Sequence, residues 1–208
     1  HNIVTTAMTG KNVHDMDHLS SLLITAFQRT KDKDEIKIEA LVGVESELVE
    51  GIVLDKERVH PGMPKLITNA RIALINSPLE IRNPEIDAKI QITEPTQLQA
   101  FLHQEEEFLK EMVTKIIQTG ANVILSQKGI DELAQHYLAQ HGIIAIRRIS
   151  KSDMEKLSRA TGGTIVNNWK DIRSQDLGTA GSVREENINE PLIFIEKCFQ
   201  PRAVTLLV

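Results

Sequence analysis

Thr9-Gly10-Lys11 resembles the tail of a phosphate-binding loop. Such a loop needs a glycine five residues before the second one and a Ser or Thr after the lysine, so that backbone N–H groups and a hydroxyl can hold phosphate and Mg2+. Thr5 and Asn12 stand at those positions, so the segment cannot bind phosphate by itself and reads as a helix cap. His14 and His18 lie one helical turn apart, a spacing that can offer two imidazoles to zinc. No third ligand or base accompanies them, and the flanking Asp15 and Asp17 suit a solvated helix face. Gly162 and Gly163 follow a helical pattern, whereas a dinucleotide fingerprint follows a strand and opens a helix. They read as a helix stop. His136 and His141 share a helix without an evident Cys, Ser or carboxylate partner. No Ser-His-Asp, Cys-His or paired-carboxylate arrangement stands out, and the sequence makes a poor case for an enzyme.

Composition narrows the classes further. Aromatic residues are 3% of the 208, so the core must be aliphatic. The net charge is −5 and no basic run exceeds Arg147-Arg148, which argues against nucleic acid as a partner. The single Cys198 excludes an internal disulfide and suits a reducing compartment. No apolar run approaches the roughly 20 residues of a membrane span. A cytoplasmic protein with no membrane partner is expected. The chain starts at His1 and stops within the apolar AVTLLV, and both ends are expected to be cuts in a longer chain.

The elements that must position these residues follow from periodicity. Positions 9–29 keep helical spacing through Val13, Met16, Leu19, Leu22, Leu23, Ala26 and Phe27. Strands are expected at 36–42, 47–55, 70–76 and 85–93. Two prolines and a glycine forbid regular structure around His60–Pro64. Strand 122–126, helix 130–142, strand 143–149, helix 150–163 and strand 164–166 form a β-α-β-α-β run, with Ser150 and Asp153 placed as a capping box. Beyond Asp171 the chain reads as polar and irregular until strands at 191–198 and 203–208.

The segment 93–120 is too long for its neighbours. Thr93 or Glu94 can cap it, Pro95 fits its first turn and Gly120 can stop it. At 1.5 Å per residue it spans roughly 37 Å, more than a small domain is wide. Its apolar stripe breaks at Glu105, Glu106 and Glu107. Leu98, Phe101 and Leu102 lie beyond the break, and Ile92 precedes them on the alternating strand. These residues are expected at the outer tip of an arm, where an apolar patch marks a contact site.

ELVEGIVLDKERVHPGMPK, ARIALINSPLE, TAMTGK and the stretch from GANVILSQKGIDELAQHYLAQHG to SRATGG together resemble the group II chaperonins, the archaeal thermosomes and their eukaryotic cytosolic relatives. The resemblance implies a mixed α+β and α/β fold: a layered β/β/α apical domain at 44–198 with a helical protrusion at about 85–118. Residues 1–43 and 199–208 would be parts of a small α+β intermediate domain. It implies binding of non-native polypeptide clients and a built-in lid over a folding chamber, within a double ring of chaperonin subunits. Glu105–Glu107 would be the solvated middle of the arm. Client contacts would fall on the protrusion tip (Ile92, Leu98, Phe101, Leu102), on the helix bearing Gln135 and His136, and on the loop with Met63. Lys11 matches a lysine that contacts the γ-phosphate of ATP in the intact subunit. The ATP-binding GDGTT motif is absent and the hydrolytic Asp would come after Val208, so ATP and Mg2+ are expected in the parent and no cofactor here. The rival reading is a small α/β ligand-binding or enzyme domain built on 122–166, and a third is a passive scaffold.

Overall fold

A computed structural model of the chain describes residues 16–30, 36–39, 46–81, 95–198 and 204–207, with side chains left out for Met16 and residues 95–98. The first elements are helix α1 (Met16–Thr30) and strands β1 (Ile36–Glu39), β2 (Glu47–Val49), β3 (Gly51–Leu54) and β4 (Leu66–Ile75). Helix α2 (Pro95–Gln118), β5 (Val123–Ser126), α3 (Glu132–Gln140), β6 (Ile144–Ile146), α4 (Lys151–Thr161) and β7 (Ile165–Val166) follow. Strands β8 (Gly178–Ile188), β9 (Glu190–Cys198) and β10 (Val204–Leu207) end the series.

The strands make two sheets. The smaller runs β1-β10-β2, and the larger runs β3-β9-β8-β4-β5-β6 with β7 also on β4. The expected β-α-β-α-β run is present: β5 lies parallel between β4 and β6, and β7 pairs parallel with β4. Its helices begin and end as their sequences demand. The Asp131 carboxylate accepts the Leu133 N–H at 2.9 Å. Ser150 Oγ accepts the Asp153 N–H at 3.0 Å and donates to the Asp153 carboxylate at 2.8 Å. Gly162 closes α4 in the left-handed region.

Two expectations need correction. The stretch 47–55 is not one strand: it breaks at Glu50, with β2 in the small sheet and β3 in the large one. The crossing needs glycine, because Gly51 has φ +145° and a Cβ there would lie 1.8 Å from the Ile195 carbonyl oxygen. The segment after Asp171 is not irregular either. It contains β8, which is 11 residues long and lies between β4 and β9. Its polar side chains are partnered in place: Arg184 lies 4.1 Å from the Phe194 ring centroid and donates to Glu196 at 3.0 Å.

Both faces of the large sheet are covered. Ile72, Leu74, Val123, Leu125 and Ile144 face one core, closed by Met154, Leu157 and Ala160 of α4. Ala73, Ile75, Ile124 and Ala145 face the other, closed by α2 and α3. The small sheet joins the large one through Val49, Val53, Leu192, Phe194 and Leu207. Polar groups complete the joint. Thr205 Oγ1 accepts the Val53 N–H at 3.0 Å and donates to the Gly51 carbonyl at 3.1 Å. Lys37 Nζ donates to the Val53 carbonyl at 2.6 Å and pairs with Asp153 at 3.3 Å. At the opposite edge of the large sheet, the Val59 N–H reaches the Ala145 carbonyl at 3.0 Å and the Ala145 N–H reaches Met63 Sδ at 3.3 Å.

The crossing at Gly51 yields a stability test. Gly51→Ala combines a disallowed φ with overlap on backbone, and urea denaturation should show a loss of about 3 kcal/mol or more. Gly142→Ala also has a positive φ but meets nothing within 4 Å, so it should cost only about 1 kcal/mol.

Candidate functional site

Helix α2 has 24 residues, about 36 Å at 1.5 Å per residue. Its C-terminal half belongs to the core, with Leu109, Met112, Val113 and Ile116 at most 3% exposed. Its other half does not: residues 99–104 are exposed, with Phe101 at 39% and Leu102 at 53%. One helix therefore holds a buried anchor and an unburied apolar pair. Leu98 is on the helix backbone, but its side chain lies outside the described residues. Ile92, the strand expected at 85–93 and its junction with the helix also lie outside them, as do Lys11 and His14.

The acidic break does more than solvate the arm. Glu106 Oε1 accepts the Tyr137 hydroxyl of α3 at 2.8 Å and pairs with Lys110 Nζ at 2.8 Å. Lys110 also reaches Glu107 at 3.3 Å. Phe108, next in sequence, meets the Trp169 ring edge-on at 5.7 Å between centroids. The Lys110 ammonium and then the Tyr137 hydroxyl hold the Glu106 carboxyl below its ordinary range. Glu106 in turn pushes Lys110 upward, and burial pushes the Tyr137 phenol upward.

A second surface forms where the 60–64 loop meets α3. The His60 and His136 rings lie 5.8 Å apart in a T-shaped contact. His60 Nδ1 accepts the Gly62 N–H at 3.0 Å, which holds the loop turned toward the helix. His136 is exposed and lies 3.0 Å from the Gln140 amide. Met63 and Gln135 point inward instead. Met63 is 3% exposed with its sulfur on the Ala145 N–H, and Gln135 is 5% exposed with its amide donating to the Ile130 carbonyl at 2.7 Å. The loop and the helix thus meet, and the residues they leave exposed are Pro61, Gly62, His136 and Gln140, with His60 half-buried between them.

At the C-terminal ends of β4 and β7 a groove of about 400 Å³ is lined by Ser77, Glu80, Phe108, Asn167 and Trp169, among others. Polar groups there bind one another: Asn76 Nδ2 donates to Asn167 Oδ1 at 3.0 Å, and the Trp169 N–H donates to Ser77 Oγ at 3.2 Å. Among the described residues no three His, Cys, Asp or Glu side chains gather as metal ligands. Cys198 is buried, and burial pushes its thiol up to about 11.

The model of the TCP-1/cpn60 chaperonin family matches residues 1–208. The chain belongs to that family. It is 51% identical to a thermosome subunit beta of Methanothermobacter thermautotrophicus over 216 residues, covering 99% of this chain and 40% of the relative. A thermosome subunit of Methanopyrus kandleri is also 51% identical, over 220 residues and the same shares of each chain. The open-state monomer of a group II chaperonin from Methanococcoides burtonii superposes with a TM-score of 0.79 at 35% identity, covering 99% of this chain and 49% of that one. The chain thus spans less than half the length of these relatives. Its layered α+β architecture with a prominent helix matches the apical-type chaperonin fold.

Tyr137 escaped sequence reasoning because α3 is amphipathic and its tyrosine reads as one more residue of the buried stripe. Its register, one residue after the exposed His136, is the only signal that it stands at the boundary. The Glu106 environment gives a pH test. A carboxylate with a depressed folded-state pKa contributes stability above its unfolded value, and that contribution is lost as pH falls through the folded pKa. An NMR titration should place the Glu106 midpoint below 4.5 and Lys110→Gln should move it upward. A midpoint at or above 4.5 in the parent chain would contradict the geometry.

Proposed function

We propose that this chain is the client-capturing, lid-forming part of a group II chaperonin subunit, and that it lacks ATPase activity itself. The observation that carries the reading is the division of α2: four side chains fixed in the core, and Phe101 and Leu102 exposed on the same helix. In this reading residues 44–198 act as the apical domain with a protrusion at about 85–118, and residues 1–43 and 199–208 belong to the intermediate domain. We place the mechanical joint at Glu50–Gly51, because β2 pairs with β10 of the small sheet. The clients are non-native polypeptides. The other partners are chaperonin subunits of a double ring in the cytoplasm, where the parent binds ATP and Mg2+ and Lys11 senses the γ-phosphate.

Apolar, non-directional contact suits a binder that must accept many sequences. Each apolar side chain covered by a client contributes roughly 1.5–3 kcal/mol before ordering costs. Ile92, Leu98, Phe101 and Leu102 form the proposed tip, and His136 with the 60–64 loop forms a second, more polar contact. Met63 and Gln135 serve that surface from beneath, by fixing the loop and the helix. The rival ligand-binding reading has less support, since Asn76 is committed to Asn167 and Ser77 to the Trp169 backbone at the ends of β4 and β7.

Changing Leu98, Phe101 and Leu102 together to Ser should weaken suppression of aggregation of an unfolded client while leaving the melting temperature nearly unchanged. Early unfolding of the variant would show that these residues support a core. Full suppression by a stable variant would move client binding elsewhere. In a separate experiment, calorimetric titration with Mg-ATP should show no micromolar binding, and saturable heat in that range would refute the assignment of nucleotide binding to other parts of the parent.

A further inference from the structure

Tyr137 stands where the exposed half of α2 meets helix α3. Its hydroxyl donates to Glu106 Oε1 at 2.8 Å. Lys110 Nζ lies 5.8 Å from its ring centroid, and the His136 ring centroid lies 6.2 Å away. His136 in turn contacts His60. On α2, Glu106 precedes Leu109, the first fully buried residue of the anchor, by three positions. Residues 99–104, on the far side of Glu106, are all exposed. Among the described residues, Tyr137–Glu106 is therefore the side-chain hydrogen bond from the helix to the body that lies nearest the exposed end.

Mechanics gives that bond leverage. The anchor at 109–116 covers two helical turns, about 11 Å, and the stretch from 99 to 106 extends about as far again. Small rotations at the anchor become displacements of the tip. Phe108 meets the Trp169 ring edge-on one residue before the anchor begins. The Glu106 carboxylate, charged and already paired with Lys110, makes a charge-assisted bond to a hydroxyl on a different helix. A bond of this kind has a defined length and direction, which apolar packing lacks.

We propose that the Tyr137 hydroxyl is a latch that sets the angle at which the exposed half of α2 leaves the body. Lys110 keeps Glu106 ionised and oriented toward α3. The latch is independent of whether a client binds, because both partners belong to this chain and its effect is on the arm's own range of motion.

Tyr137→Phe removes the hydroxyl and keeps the ring, so it separates the latch from packing. In the chain without client, amide exchange at 99–106 should quicken roughly fivefold, the factor expected for one hydrogen bond, while 109–118 stays protected. Spin labels at His103→Cys and Glu155→Cys should report a broadened distance distribution. Cys198 is buried with a raised pKa and does not compete for the label. Glu106→Ala should reproduce the effect, and the double variant should add nothing to it. A parental distance distribution in Tyr137→Phe would overturn the proposal. So would equal acceleration across 99–118, which would make Tyr137 a support of the core, and so would additive effects in the double variant.

Discussion

The ladder along β4 is the interaction on which the rest of the structure depends. This strand pairs with β8 along most of its length, and with β5 and β7 at its C-terminal end. It joins the antiparallel half of the large sheet to the parallel half. Its alternating residues feed both cores: Ile72 and Leu74 go to the side closed by α4, and Ala73 and Ile75 to the side closed by α2 and α3. A slip of one residue would exchange these two sets and leave both layers of helices without their seats. The arm depends on this ladder as well, since the anchor of α2 packs on the face that β4 and β5 present.

That dependence explains how an exposed apolar helix can be tolerated. The half of α2 that carries Phe101 and Leu102 is exposed along residues 99–104, and the half that carries Leu109, Met112 and Ile116 is held by a sheet covered on both faces. An exposed apolar surface and a folding core are adjacent on one helix. With aromatics at 3% of the chain, the few that occur are informative. Phe108 and Trp169 meet at the base of the arm, and Phe101 lies on its exposed part.

Much of this was legible in the sequence because local and global signals agreed. The β-α-β-α-β run has apolar strands, a capping box at Ser150 and a glycine stop at Gly162, and each appears where expected. The long helix at 95–118 was legible from its length and its end signals. What was missed depended on contacts between residues far apart in the chain. Strand β8 looks irregular because its charged residues become compatible with a sheet only when Phe194 and Glu196 lie beside Arg184. The break at Glu50 was hidden because β2 and β3 are both good strand sequences, and only the approach of Ile195 reveals why Gly51 must separate them. Within the site, periodicity put Gln135 on a helix but could not show that its amide turns inward to Ile130. Met63 looked like a loop residue available to solvent, although its sulfur is committed to a backbone N–H.

The two outer margins of the large sheet carry a consequence for a protein read as handling unfolded chains. An open strand edge is a template: any extended peptide can add to it by backbone pairing, whatever its sequence, and such additions propagate into aggregates. Here the outward groups of Val53 are occupied by Thr205 and Lys37, and those of Ala145 by Val59 and Met63. Side chains and a loop fill these places. An extended polypeptide that met this face would find side chains there in place of free backbone groups, and would be kept from joining the sheet as another strand.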